Sequence, residues 1–176
     1  MAGADAPVAE SNVLVSLLLG GCIKGLSGVH DKMAVTPVVR YMLLCEGARP
    51  DPTNPSCTHI GCLMGNIVSL ENPPFPLLRE RICVYLVLTE CHGHGIGQIR
   101  VAYADSEPEQ LLFGSPEHDL DFTGHSPLEL LGFVFRLRDC LLPQAGRYSV
   151  QFWYNHQKLE ERPLRLKAAS EESSNP

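Results

Sequence analysis

The stretch QAGRYSVQFWYN, Gln144 to Asn155, decides the fold class of this chain. Within it Tyr148, Val150, Phe152 and Tyr154 alternate with Ser149, Gln151 and Trp153. A period of two is the mark of a strand with one face in a core and the other toward solvent. The same alternation recurs upstream, where Leu131, Phe133, Phe135 and Leu137 oppose Arg136 and Arg138. From Met33 onward, apolar runs rich in Val, Ile, Leu, Phe and Tyr are separated by clusters of Pro, Gly, Asn, Asp and Ser, the punctuation of an all-β chain. Expected strands are Val38 to Cys45, His59 to Ser69, Ile82 to Glu90, Gln98 to Ala104, Leu111 to Gly114, His118 to Phe122, Leu131 to Arg138, Tyr148 to Tyr154 and Leu159 to Leu166. Fourteen prolines leave little room for helix, since each removes a backbone donor and restricts its predecessor.

Short turns without intervening helices point to an antiparallel β-sandwich, in which two sheets bury one face each against the other. The Gly146 to Tyr148 spacing resembles the tyrosine corner of immunoglobulin-like sandwiches, so the general architecture is expected to be immunoglobulin-like. Two strands depart from alternation. Val38 to Cys45 and Ile82 to Thr89 are mostly apolar on both faces, which marks either a central strand covered on both sides or an association surface.

With 176 residues, 44% of them hydrophobic, the chain is long enough for one real core without a disulfide or a metal. The domain is expected over residues 33–167, after an N-terminal extension (1–32, flexible or loosely packed) and before a disordered tail (168–176). The run Val13 to Leu26 follows Asp5 and Glu10 rather than basic residues and is broken by Lys24. It therefore fits neither a signal peptide nor a membrane span; it could instead cover an apolar sheet face. The segments TPVVRYMLLCEGARPDPTNP, NPPFPLLRERICVYLVLTECHG, LLFGSPEHDLDF and FRLRDCLLPQAGRYSVQFWYN together resemble an uncharacterised bacterial family of small β-sandwich proteins, a domain of unknown function, from about Met33 to Lys167. That resemblance implies no functional residue.

Twenty acidic residues against fourteen Lys and Arg give a net charge of −6 and a pI near 5.6. Nucleic-acid binders cluster Lys and Arg, and along this sequence no cluster is visible, so no nucleic-acid partner is expected. An odd set of seven cysteines, several inside apolar runs, points to a reducing, cytoplasmic location.

Cys57, His59 and Cys62, with Cys91, His92 and His94, carry the ligand types zinc prefers, without a zinc-site spacing. Glu117, Asp119 and Asp121 alternate and would line one strand face, yet no calcium-loop pattern accompanies them. GHGIG, Gly93 to Gly97, falls between two expected strands, where its glycines would supply the positive φ of a hairpin. No nucleophile elbow, metalloprotease helix or phosphate loop is present in the sequence. The binding candidates are Trp153 and Gln151, expected beside Arg136 and Arg138 on an adjacent strand, because Trp and Arg concentrate at hot spots. The reading that follows is a non-enzymatic protein-interaction or structural module, with self-association as an option and no cofactor. A metal-binding protein built on the Cys/His segments is the alternative, and an enzyme with a site hidden from sequence is the third. No small-molecule ligand is identified.

Overall fold

The computed structural model describes residues 16–17, 35–54 and 57–169; most of the expected N-terminal extension, the rest of the Val13 to Leu26 run and the tail beyond 169 lie outside them. Among the described residues the chain forms β1 (Ser16–Leu17), β2 (Val38–Cys45), β3 (Ala48–Pro50), β4 (Thr58–Ile60), β5 (Asn66–Ser69), β6 (Leu77–Thr89), β7 (His94–Tyr103), β8 (Gln110–Gly114), β9 (His118–Asp121), β10 (Leu131–Leu142), β11 (Gly146–Tyr154) and β12 (Gln157–Ala168), and no α-helix. The all-β expectation holds, with mainly antiparallel sheets and no closed barrel. One sheet runs β1, β10, β6, β2. The second runs β5, β12, β11, β7, β8, with β9 also paired to β7. Only β5 and β12 pair in parallel. A third, two-stranded ribbon joins β3 to β4.

Alternation places the core between the two large sheets. Ile82, Val84, Leu86 and Leu88 of β6 and Leu131, Phe133, Phe135 and Leu137 of β10 are buried from one side. Ile99 and Val101 of β7, with Tyr148, Val150, Phe152 and Tyr154 of β11, are buried from the other. Aromatic rings bridge the layers, with Phe135 and Phe152 centroids 6.1 Å apart and Phe122 and Phe133 6.0 Å apart. Such pairs add about 0.5–1.5 kcal/mol beyond the area they bury. The Tyr148 hydroxyl donates to the Gln144 carbonyl at 2.6 Å, back across the turn that opens β11.

Several expected boundaries move, each for a local reason. The His59 to Ser69 run divides into β4 and β5, because Met64 N turns back to bond Leu44 O at 2.8 Å and Gly61 N bonds Gly47 O at 2.8 Å. β10 extends to Leu142 through Asp139, whose φ of 55° breaks the alternation so that Cys140 and Leu142, rather than Asp139 and Leu141, turn inward. GHGIG is not a hairpin loop: of its glycines only Gly93 has positive φ, at 65°, and the rest of the motif opens β7. Gly95 and Gly97 face the core, where the Tyr154 ring occupies the space a Gly95 side chain would take and Leu120 Cδ1 stands 2.7 Å from a Gly97 Cβ position. These glycines are there for close packing rather than for turning. Of the two doubly apolar strands, β6 is interior to its sheet and β2 lies at the edge. Both are partly covered on the outer side, where Cys45, Cys83 and Val134 pack with Ala48 and Ile60 from the ribbon.

Two outcomes test this packing. Gly95→Ala forces Tyr154 to move, and overpacking of that kind costs about 1–3 kcal/mol, which lowers the Tm of a chain this size by about 2–4 °C per kcal/mol; an unchanged melting curve would contradict the Tyr154 placement. Burial pushes the Cys91 and Cys140 thiols up to about 12, the latter helped by Asp139, and Cys45 up to about 11, helped by Cys83. Iodoacetamide at pH 8 should therefore label exposed Cys57 and Cys62 in the native protein, and Cys45, Cys83, Cys91 and Cys140 only after denaturation, as read by peptide mass mapping.

Candidate functional site

The long β6–β10 pairing presents two faces of opposite character. From Ile82 to Leu88 and from Leu131 to Leu137 its inner face is apolar; its outer face carries Arg81, Cys83 and Tyr85 on β6 and Val134, Arg136 and Arg138 on β10. The register sets Arg81 opposite Arg138, Cys83 opposite Arg136 and Tyr85 opposite Val134. Two guanidinium side chains are thus directly cross-strand, an arrangement that costs stability where nothing negative lies between them. Over this face folds the β3–β4 ribbon. Ala48 and Ile60 supply its apolar underside, and Arg136 Nη2 donates to Ala48 O at 3.1 Å, tying the sheet to the ribbon backbone.

Between ribbon and sheet lies an open cleft of about 610 Å³, lined by Arg49, His59, Arg81, Cys83 and Arg136 with Gly47, Ala48, Ile60 and Gly61. Among the described residues no carboxylate lines it. Arg49 and His59 are cross-strand partners on the ribbon and stand exposed at the cleft rim. His59 Nε2 lies 2.7 Å from Asp51 Oδ2. Asp51 Oδ1 in turn accepts from Thr53 Oγ1 and Thr53 N, both at 2.6 Å, and from Asn54 N at 3.1 Å. Those bonds, the Thr53 pair foremost, hold the Asp51 carboxyl well below the usual carboxylate range. The acid is thereby fixed in the turn after β3, where it orients His59. On the cleft floor, burial raises the Cys83 thiol while the charges of Arg136 and Arg81 pull it down. Among the described residues the lining combines planar guanidinium groups, whose forked donors suit oxyanions, with an apolar floor.

The structure redistributes the residues expected from sequence. Trp153 and Gln151 lie on β11 and Arg136 and Arg138 on β10, in different sheets, so the expected common surface does not form. Period two had shown that each pair shares a face, but not which strands are neighbours. Trp153 Nε1 donates to Gln151 Oε1 at 3.0 Å, and Gln151 Nε2 donates to Glu109 Oε2 at 2.9 Å. The Arg100 guanidinium lies 4.1 Å from the centroid of the Trp153 ring. These side chains satisfy one another on the outer face of the second sheet. The Cys/His segments are likewise not brought together: among the described residues no three His, Cys, Asp or Glu side chains converge as a metal site. Cys91 is packed in the main core, Cys57 and Cys62 are exposed, His59 is engaged by Asp51, and His94 Nε2 sits 3.6 Å from Asp121 Oδ1. Of the three alternating acids, Asp119 and Asp121 are exposed on either side of buried Leu120 in β9, Glu117 lies 3.9 Å from His156, and Asp121 accepts from Thr123 N at 2.8 Å.

Arg49, Arg79 and Arg81 were not candidates in the sequence. The one signal was the Arg79-Glu80-Arg81 alternation entering an apolar strand. Yet Arg49, Arg81 and Arg136, from three separate segments of the chain, line one cleft, with Arg138 opposite Arg81 in the register.

No protein-family model matches the chain, and no curated protein matches it. Among solved structures it is similar to the Pseudomonas fluorescens alkylpurine DNA glycosylase AlkC bound to DNA containing an abasic site analog, at 13% identity and a TM-score of 0.40, over 75% of this chain. The match covers 30% of that protein, so this chain spans less than a third of it. At that distance the likeness transfers no activity. It nevertheless stands against two expectations, the non-enzymatic interaction or structural module and the absence of a nucleic-acid partner, since the similar structure is an enzyme on DNA. Both are withdrawn. The exclusion of nucleic acid also rested on basic residues being scattered along the sequence, and the fold brings Arg49, Arg81 and Arg136 to one cleft.

Proposed function

We propose that this protein binds an oxyanion, the phosphate or carboxylate of an organic ligand, in the cleft between the β3–β4 ribbon and the outer face of β6 and β10. The observation that carries the reading is the lining itself: Arg81 and Arg136 from neighbouring strands, Arg49 at the rim, and no acid among the described lining residues. The protein as a whole is acidic, so an anion is repelled by most of its surface and attracted only where arginines outnumber carboxylates. A volume of about 610 Å³ falls in the range of small-molecule sites, about 300–1,000 Å³. The six described cysteines are unpaired, including Cys45 and Cys83 at opposed positions, which supports a reducing, cytoplasmic setting.

Calorimetry and thermal shift with ethyl phosphate, butyrate and a short single-stranded oligonucleotide test the reading. Binding of at least one is expected, with a rise in Tm that grows with ligand concentration. Arg81→Ala should weaken that binding at least tenfold without loss of fold; Arg136→Ala should do the same but also loosen the ribbon, through the lost bond to Ala48 O. A preference for ethyl phosphate over butyrate assigns phosphate. Oligonucleotide binding that falls steeply with salt assigns a nucleic-acid backbone as its source. If none of the three binds, or if Arg81→Ala changes nothing, the cleft is not an oxyanion site.

A further inference from the structure

Among the described residues β9 pairs with β7 alone, from His94 opposite Asp121 to Gly97 opposite His118. Its outward side chains, Asp119 and Asp121, are exposed, and so is Glu117 before it. Its inward side is His118 and Leu120, followed just past the strand by Phe122, and the last two are buried. An imidazole therefore stands where the two-residue period calls for a core side chain. The His118 ring meets the Phe135 ring at 70°, with centroids 5.6 Å apart. Its Nε2 is closed to solvent and has no hydrogen-bond partner among the described residues. Nearby, the Tyr154 hydroxyl that fills the space at Gly95 is also buried without a hydrogen bond, and its ring packs on Phe122. The segment thus closes over two polar atoms that the folded chain leaves without partners, an unfavourable arrangement.

No charge in the core compensates a proton on His118. Its register partner Gly97 has no side chain to offer. The titratable groups buried in the same core, Cys91, Cys140, Tyr148 and Tyr154, are all pushed up by burial and stay neutral. Arg136 and Arg138 leave β10 on its outer face. The nearby carboxylates point outward: Glu117 lies 3.9 Å from His156, Asp121 lies 3.6 Å from His94, and Asp119 is exposed. Attraction between an imidazolium and the Phe135 ring is smaller than the hydration such a buried cation loses. We infer that the segment from His118 to Phe122 is an acid-released latch: when His118 takes up a proton, the segment parts from β7 and uncovers Leu120, Phe122 and the core beneath them. Burial holds the docked imidazole below its ordinary value of about 6.5. The released segment therefore binds the proton more readily, so docking is at full strength above that pH and weakens as pH falls through it. Protonation of His94 and His156 strengthens their pairing with Asp121 and Glu117, but those pairs are exposed and contribute little. Release is local because β7 keeps its pairing with β11 from Gly97 to Tyr103.

Amide hydrogen exchange of the full chain at pH 7.5 and 5.5, corrected for the intrinsic pH dependence of exchange, tests the latch. Amides from His118 to Phe122 should lose protection roughly tenfold between the two conditions, while those from Tyr148 to Tyr154 change by less than about threefold. His118→Leu keeps an apolar contact with Phe135 and should remove that loss. His94→Gln and His156→Gln should leave it in place or deepen it. An NMR titration of the His118 ring in the unaltered protein, which does not depend on any variant folding, should give a midpoint below about 6.5. Protection that is the same at both pH values, a loss spread equally over β11, a loss that persists in His118→Leu, or a ring that titrates at or above its ordinary value would overturn the inference.

Discussion

The antiparallel register of β6 against β10 is the constraint on which the rest of the structure depends. Those strands pair from Leu88 with Leu131 to Leu77 with Leu142, and a slip of one residue would exchange their faces. In the observed register Val84, Leu86, Phe133 and Phe135 meet the second sheet, while Arg81, Arg136 and Arg138 meet the ribbon and solvent. A one-residue slip would drive guanidinium groups into the apolar core, at a desolvation cost no neighbouring acid offsets. The hydrophobic effect that fixes the core therefore also fixes the position of the arginines.

Packing of the ribbon shows how the fold supports a cleft without a helix or a long loop. The outer faces of β2 and β6 carry Cys45 and Cys83, small apolar side chains that leave room for Ala48 and Ile60 above them. Larger residues would lift the ribbon away; polar ones would leave a buried group without a partner. Backbone bonds from Met64 to Leu44 and from Glu46 to Cys62 then hold the two ends of the ribbon to the end of β2. Asp51, fastened by Thr53 and Asn54, closes the turn and engages His59 at the rim. The cleft is consequently bounded by elements with defined hydrogen bonding, the arrangement that keeps a binding site from paying a large ordering cost when a ligand arrives.

Charge is distributed on two scales. Over the whole molecule the excess of acids disfavours anions, whereas the described lining of the cleft carries Arg49, Arg81 and Arg136. Elsewhere arginines are neutralised by close partners, such as Arg147 with Asp105 at 2.6 Å and Arg162 with Glu160 at 2.9 Å.

Local pattern was enough to establish much of this. Tyr148, Val150, Phe152 and Tyr154 announced an inward face, as did Leu131, Phe133, Phe135 and Leu137, because the two-residue period is a property of the extended backbone and needs no tertiary information. The prolines and turn clusters excluded helix for the same reason. Strand adjacency is different: it is set by contacts between segments far apart in the chain, and no local period reports it. Hence Trp153 was expected beside Arg136 when the two belong to different sheets, and Gly95 and Gly97 were read as turn residues when they make room for Tyr154, Leu120 and Phe152. The cleft was hidden most completely. Its arginines lie near positions 49, 80 and 137 of the sequence, and only the pairing of β6 with β10, with the ribbon folded back over both, makes neighbours of them.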